Sequence, residues 1–216
     1  IRSEMVGRGE TFPAYSNVVV FEGDSIFEGN AYTPLSPVPE RAMADMPANT
    51  FVANTAKSGS SINSSSTPGS YTTSLYARRL TIDNALLYPA TKHILCVGAG
   101  TNDMNSNTAA TFLANLKAYC QERRAAGWKV VVGTCLPCTY SAGGFNAKRA
   151  TANAEINNAA NIGVYWDAVA DQGGDTTYAK DGDELNAAYY PDTVHPNDTV
   201  CAGIKGYWST AINSLI

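Results

Sequence analysis

Charge is what this sequence has least of. Asp, Glu, Lys and Arg make up 16% of its 216 residues, against about a quarter in an ordinary globular chain. The balance is slightly acidic, a net −4 at pH 7. That argues against nucleic acid as a partner, because phosphate binding needs a basic face and no basic cluster is visible. Long apolar runs are missing too. None approaches the roughly 18 residues of a membrane span, and no secretory signal peptide is visible. Histidine is scarce, with His93 and His195 the two in the chain. A zinc site of the usual kind needs four ligands, and the lone C-x-x-C at Cys135 and Cys138 has no second pair to complete it. The motif also follows an apolar run and lies in a loop sequence, "TCLPCTYSAGG", where a redox motif would open a helix. Free thiols or a local disulfide are expected there. Cys96, Cys120 and Cys201 sit in apolar or helical patterns and are expected to be small buried hydrophobes. Five cysteines in all leave at least one without a partner in the chain.

What is present is a polar, weakly charged chain rich in Asn, Thr, Ser, Ala and Gly. Its length fits a single domain over 1–216, large enough to bury a core without staples. It begins at Ile1, not Met, which points to processing or excision from a longer chain. Strands are predicted at 17–22 ("NVVVFE"), 50–54 ("TFVAN"), 93–97 ("HILCV"), 129–133 ("KVVVG") and 163–166 ("GVYW"). Most are continuous apolar runs, the pattern of strands covered on both faces. Between them lie helical patterns. Ala109, Phe112, Leu113, Leu116, Tyr119 and Cys120 form one stripe, ended by Gly127 at a C′ position. Others are predicted at 71–87, 147–160, after Pro196, and briefly at 40–45. The Gly/Asp-rich stretch 171–183 is a surface loop, since too little chain follows it for a second core. Alternating β and α elements imply an α/β fold, a three-layer sandwich with a mostly parallel five-stranded sheet. Right-handed crossovers then gather the strand carboxyl ends on one edge, where ligand sites lie. Functional residues should therefore fall just after strands.

They do. Gly23-Asp24-Ser25 follows the first strand, "TAKSGSS" the second and "GAGTND" the third, while "DTVHP" precedes the last helix. Singly, each has a plain structural explanation: Gly-Asp-Ser suits any tight turn, and "GAGTND" is only half of a dinucleotide-binding fingerprint, with Asp103 at its third glycine position. His93, at the start of an apolar strand with no acid nearby, is expected to be structural. Together the loops make a constellation. Asp192 and His195 are three apart, so the carboxylate can hold Nδ1–H and leave Nε2 free to take a proton. Serine needs such a base to act as a nucleophile, and Ser25 stands at a strand tip. An attacked ester carbonyl develops an oxyanion, which needs preorganised donors. The backbone N–H groups of Ser25 and Gly59 and the Asn102 amide can supply them.

With these blocks in this order, the chain resembles the SGNH, or GDSL-type, esterases and lipases. "GDSI", "SGSS", "GTND" and "DTVHP" look like the family's four blocks, spread over residues 18–196. The resemblance implies a flavodoxin-like sandwich and an ester or O-acetyl hydrolase with no metal or cofactor. It implies Ser25 as nucleophile, Asp192 and His195 completing the triad, and Gly59 and Asn102 as oxyanion donors. The first block is "EGDSI", not the fuller lipase-like "FGDSL". Loops rich in Ser, Asn, Thr and Gly favour a small acyl group, acetyl, on a carbohydrate. Phe27, Tyr32, Tyr71, Tyr140 and Phe145 are candidate platforms for sugar rings. The alternatives are a lysophospholipase or thioesterase, and a catalytically inactive carbohydrate-binding domain. Low charge and Asn/Thr richness point to an extracellular or virion setting.

Overall fold

The computed structural model describes residues 14–29, 37–62, 74–140 and 144–216. Five parallel strands form one sheet in the order β2-β1-β3-β4-β5. They are β1 (Asn17–Gly23), β2 (Thr50–Asn54), β3 (Lys92–Gly98), β4 (Lys129–Gly133) and β5 (Ala168–Ala170). The chain runs outward from β1 to β2, then returns to the other side of β1 for β3. That reversal opens a crevice between the carboxyl ends of β1 and β3, the place where open α/β sheets hold ligands. Helices cover both faces, so the architecture is the expected three-layer sandwich.

Alternation along the central strands divides the core. Val18 and Val20 of β1, Leu95 and Val97 of β3, and Val130 and Val132 of β4 face one way. There α3 (Leu75–Ile82), α5 (Ala109–Ala126) and α6 (Phe145–Ile156) pack on them. Val19, Phe21, Ile94, Cys96 and Val131 face the other way, towards α1 (Ser25–Glu28), α2 (Val38–Met43) and α7 (Asp198–Asn213). Residues on both faces are almost fully buried, which is why these strands read as unbroken apolar runs. The predicted stripe Ala109–Cys120 is buried on α5, and Gly127 closes that helix in the left-handed region at φ 115°.

The remaining element, α4 (Thr101–Ser106), follows β3 directly. At the reversal the packing is tight. Gly23 and Gly98 are paired across β1 and β3. A Cβ on Gly98 would stand 2.5 Å from the Phe27 ring, and one on Gly23 would stand 2.3 Å from the Gly98 carbonyl oxygen. These glycines let Phe27 of α1 lie across the strand ends. There its ring meets Phe21 and Trp208, with centroids 5.7 and 4.8 Å away.

Several elements depart from expectation. Residues 163–166 are not a strand. Gly163 takes φ 83°, its N–H donates to the Trp166 carbonyl at 2.6 Å, and Val164 is exposed. This apolar run is a turn that swings Trp166 into the core, and the last strand is the three-residue β5 after it. The predicted helix 71–87 is α3, capped by the Ser74 side chain on the Ala77 N–H at 3.1 Å, and it tightens to a 3₁₀ turn over Asp83–Leu87. Residues 71–73 lie outside the described part. The helix expected at 147–160 runs Phe145–Ile156, and the one at 40–45 runs Val38–Met43. A 3₁₀ turn, Gln172–Gly174, interrupts the 171–183 loop. Among the described residues no helix is long and apolar enough to cross a membrane.

One buried charge stands out. Glu22 of β1 is fully buried. Burial pushes its carboxyl up to about 7 against the opposing effect of the Tyr119 hydroxyl, which donates to Oε1 at 2.6 Å, and of Arg78 and Arg123. The folded state therefore holds this proton in the range where the unfolded chain, with its ordinary carboxyl near 4.5, has lost it. Its contribution to stability is complete below about pH 4.5 and is lost as pH rises through about 7. Glu22→Gln should remove this dependence. Unfolding free energies of the two proteins, from denaturant titrations, should shift relative to one another by on the order of 2–3 kcal/mol between pH 4.5 and 8, in favour of the variant as pH rises. Parallel pH profiles would show that Glu22 does not titrate in this way.

Candidate active site

The tip of β1 turns at Asp24 into the single turn of α1. Asp24 is buried and caps that turn, its Oδ1 accepting the Ile26 N–H at 3.0 Å. Burial raises its carboxyl to about 6, opposed by the Ile26 bond, the nearby His195 and the Thr101 hydroxyl. Ser25 is the first residue of the turn, so its own N–H has no acceptor within the helix. Its Oγ lies 2.7 Å from His195 Nε2, and His195 Nδ1 lies 2.6 Å from Asp192 Oδ2. Beside a carboxylate Nδ1 must donate, which leaves Nε2 of a neutral ring as the acceptor for the serine proton.

Asp192 does more than face the ring. Its Oδ1 accepts the backbone N–H groups of Val194 at 3.0 Å and His195 at 2.7 Å, an Asx turn that folds the acid back over the residues following it. Burial works to raise its carboxyl, but the bonds from the His195 ring and from these two N–H groups outweigh it and hold the group below the usual carboxylate range. The turn forces Thr193 to φ 66°, a conformation that β-branched residues avoid. Thr139 holds it there, with hydroxyls 2.7 Å apart and the Thr139 N–H on the Thr193 carbonyl at 3.1 Å.

Gly59 and Asn102 come from the loops after β2 and β3. Gly59 is exposed at φ 75°, within a loop held on several sides. The Lys57 N–H donates to the Gly23 carbonyl at 3.1 Å, and the Ser58 N–H donates to Glu28 of α1 at 2.6 Å. Asn102, in the first turn of α4, donates through Nδ2 to the Ser60 carbonyl at 2.9 Å. That bond uses one of its two amide N–H groups. The structure thus joins Ser25, His195 and Asp192 in one hydrogen-bonded chain, and it ties Asn102 to the loop that carries Gly59.

Other residues fall elsewhere. Phe27 and Phe145 are core residues, almost wholly buried, and are no platform for a sugar. Their apolar neighbours on both sides make them packing elements. Tyr140 is half-buried, and Tyr32 and Tyr71 lie outside the described residues. All five cysteines are free and buried. Burial pushes the Cys138 thiol up to about 12 and Cys135 higher still, the opposite of what a reactive thiolate needs. His93 bonds through Nε2 to the Tyr88 carbonyl at 3.0 Å and packs edge-on against Trp128.

A model of the GDSL-like Lipase/Acylhydrolase family matches residues 21–200. The chain belongs to this family. No curated protein matches the sequence, but solved structures share the fold of this GDSL-family chain. It is similar to a carbohydrate acetylesterase from Sinorhizobium meliloti, at 14% identity over 93% of this chain and 100% of that one, with a TM-score of 0.67. A GDSL-like lipase from Bacteroides thetaiotaomicron is similar at 19% identity over 100% and 97%, with a TM-score of 0.61. An acetyl-xylooligosaccharide esterase variant from Geobacillus is similar at 13% over 94% and 95%, with a TM-score of 0.61. As a GDSL-family chain, the protein is an ester hydrolase by kinship.

The supporting residues had faint signals in the sequence. Asp24 and Asp103 stand inside the motifs, beside Ser25 and Asn102, yet nothing in the spacing marks them as buried. Thr193 and Thr139 had no signal, because backbone sign is invisible in residue type. The fit of Phe27 under the serine turn has a direct test. Gly98→Ala should drive the new methyl into the Phe27 ring and lower stability by about 1–3 kcal/mol, as overpacking does. Chemical denaturation measures this, and an unchanged midpoint would mean that the ring has room to move.

Proposed function

We propose that this GDSL-family protein is a serine esterase that removes small acyl groups, acetyl above all, from carbohydrate. One contact carries the chemistry: Ser25 Oγ at 2.7 Å from His195 Nε2, within reach for direct proton transfer. Ser25 Oγ attacks the ester carbonyl carbon while its proton passes to Nε2. Asp192 steadies the resulting imidazolium through Nδ1. The carbonyl oxygen takes the negative charge and is met by the N–H groups of Ser25 and Gly59 and by the Asn102 amide N–H not spent on Ser60. The tetrahedral adduct expels the alcohol, which leaves with the proton from His195. A water then attacks the acyl-enzyme by the same route, giving the acid and regenerating Ser25.

The preference for a small acyl group rests on shape among the described residues. An apolar cavity of about 260 Å³ lies between the sheet edge at β2 and α3. Its lining includes Val20, Phe51, Ala53 and Tyr88 and none of Ser25, Gly59, Asn102, Asp192 or His195. The space beneath the serine turn, lined by Asp24, Phe27, Thr101 and Cys135, is about 10 Å³, too small for an acyl chain. The similarity to the carbohydrate acetylesterase and to the acetyl-xylooligosaccharide esterase supports the sugar side of the proposal.

Acetate release from a panel of acetylated glycans is the direct test, run beside acetyl and long-chain p-nitrophenyl esters. Acetyl substrates should be preferred, and Ser25→Ala should lose at least about 10³-fold in kcat. Faster turnover of the long chains would turn the assignment towards a lysophospholipase or thioesterase. Near-normal activity of Ser25→Ala would remove Ser25 from the reaction.

A further inference from the structure

Gly59 is exposed, and its backbone N–H works as an oxyanion donor only if the loop around it is rigid. At the loop's far end Ser60 and Ile62 are buried, both at 0% exposure. Two neighbouring side chains of α4 hold it. Asn102 Nδ2 donates to the Ser60 carbonyl at 2.9 Å, and Asp103 Oδ1 accepts the Ile62 N–H at 3.0 Å. From the other side, Arg78 Nη1 donates to Ser60 Oγ at 2.9 Å, and the Leu75 and Tyr76 N–H groups at the start of α3 donate to the Ser61 and Ile62 carbonyls. Asp103 is itself buried, and its Oδ2 has no hydrogen-bond partner among the described residues. Burial, with a further push from the Asp24 carboxylate, raises its carboxyl to about 7. A buried, half-satisfied carboxylate is a net cost to the fold. Packing alone does not explain an acid at this place, but the loop it grips does.

Resting on the esterase assignment above, we propose that Asp103 is a positioning residue of the oxyanion hole. It fixes the Gly59 loop by accepting the Ile62 N–H, one residue along from the side chain that meets the oxyanion. Without it, the Ile62 N–H is left as a buried donor without an acceptor. The loop then has to shift to reach water, and Gly59 moves with it. Displacements near 1 Å in such a site cost on the order of 10²-fold in rate. The defect falls on the transition state, because the oxyanion forms only there, so kcat drops while KM holds.

The experiment compares wild type, Ser25→Ala, Asp103→Ala and Asp103→Asn on p-nitrophenyl acetate. Active sites are counted by labelling with a serine-directed phosphonate. Per labelled site, Asp103→Ala should lose about 10- to 100-fold in kcat with KM within about threefold. Asp103→Asn keeps the acceptor oxygen and should recover most of the loss. If Asp103→Ala does not fold, Asp103→Ser, whose hydroxyl is too short to reach Ile62, is measured the same way. Wild-type kcat per site in the Ala or Ser variant would overturn the positioning role. So would an Asn variant as slow as Ala, since charge and not the accepted bond would then be what matters. Wild-type protein that neither hydrolyses the ester nor takes the label at Ser25 would overturn the esterase assignment and this role with it. An active wild type with an unaffected Asp103→Ala would overturn this role alone.

Discussion

A 2.7 Å contact joins Ser25 to His195 across 170 positions of chain, and apolar packing decides whether it exists. His195 stands two residues before Asn197, whose side chain caps α7 by accepting the Thr199 and Val200 N–H groups. Where α7 docks, His195 follows. That docking is fixed by Trp208. Its ring lies against Phe21 of β1 and Phe27 of α1 and fills the space left by the missing side chain of Gly133. Its Nε1–H donates to Gln172 at 2.8 Å. The rings that seat α7 on the sheet also seat the turn carrying Ser25. One aromatic cluster thus sets both ends of the contact, and hydrogen bonds only complete what the packing has brought close.

The edge of the sheet beside this cluster carries groups that weaken the fold. Glu22, Asp24 and Asp103 are all buried, and burial raises all three. Thr193 adds backbone strain. Proteins tend to break their own packing rules where a site needs a fixed polar group, and here the violations lie next to the loops that hold Ser25, Gly59 and His195. Elsewhere the sheet is conventional, with strands of Val, Ile and Leu under helices of matching period. The stable interior and the costly rim are adjacent parts of the same strands: Phe21 belongs to the core, and Glu22 already belongs to the rim.

Much of this was legible from residues alone. Four of the five strands appear where continuous apolar runs stand, because a parallel sheet covered on both faces demands such runs. The motif loops fall after strands because the topology sends every strand end to one edge. The fifth strand escaped because three residues carry too little pattern, while the nearby "GVYW" has the composition of a strand and the backbone of a turn. Phe27 and Phe145 were misplaced for a related reason. A residue in a motif loop can still point inward, and only the absent side chain at Gly98 reveals the slot that Phe27 fills. The burial of Asp103 was hidden because an acid in a polar motif looks solvated until Ile62 is folded over it.

The first turn of α4 shows why the motif "GTND" belongs on a helix and not on an extended loop. Consecutive side chains on a helix point about 100° apart, so three neighbours address three different directions from one rigid base. Thr101 faces the Asp24 carboxylate behind the serine turn. Asn102 reaches the Ser60 carbonyl, and Asp103 receives the Ile62 N–H. On a strand, the same three residues would alternate between opposite faces and could not meet both loops at once. The helix must start abruptly at the end of β3 for this to work. Gly100 permits it with φ 124°, in a space where a Cβ would stand 2.5 Å from Cys135 Sγ. The crevice between β1 and β3 is thereby bridged by a single turn, and that turn ties the Ser25 turn and the Gly59 loop to one base.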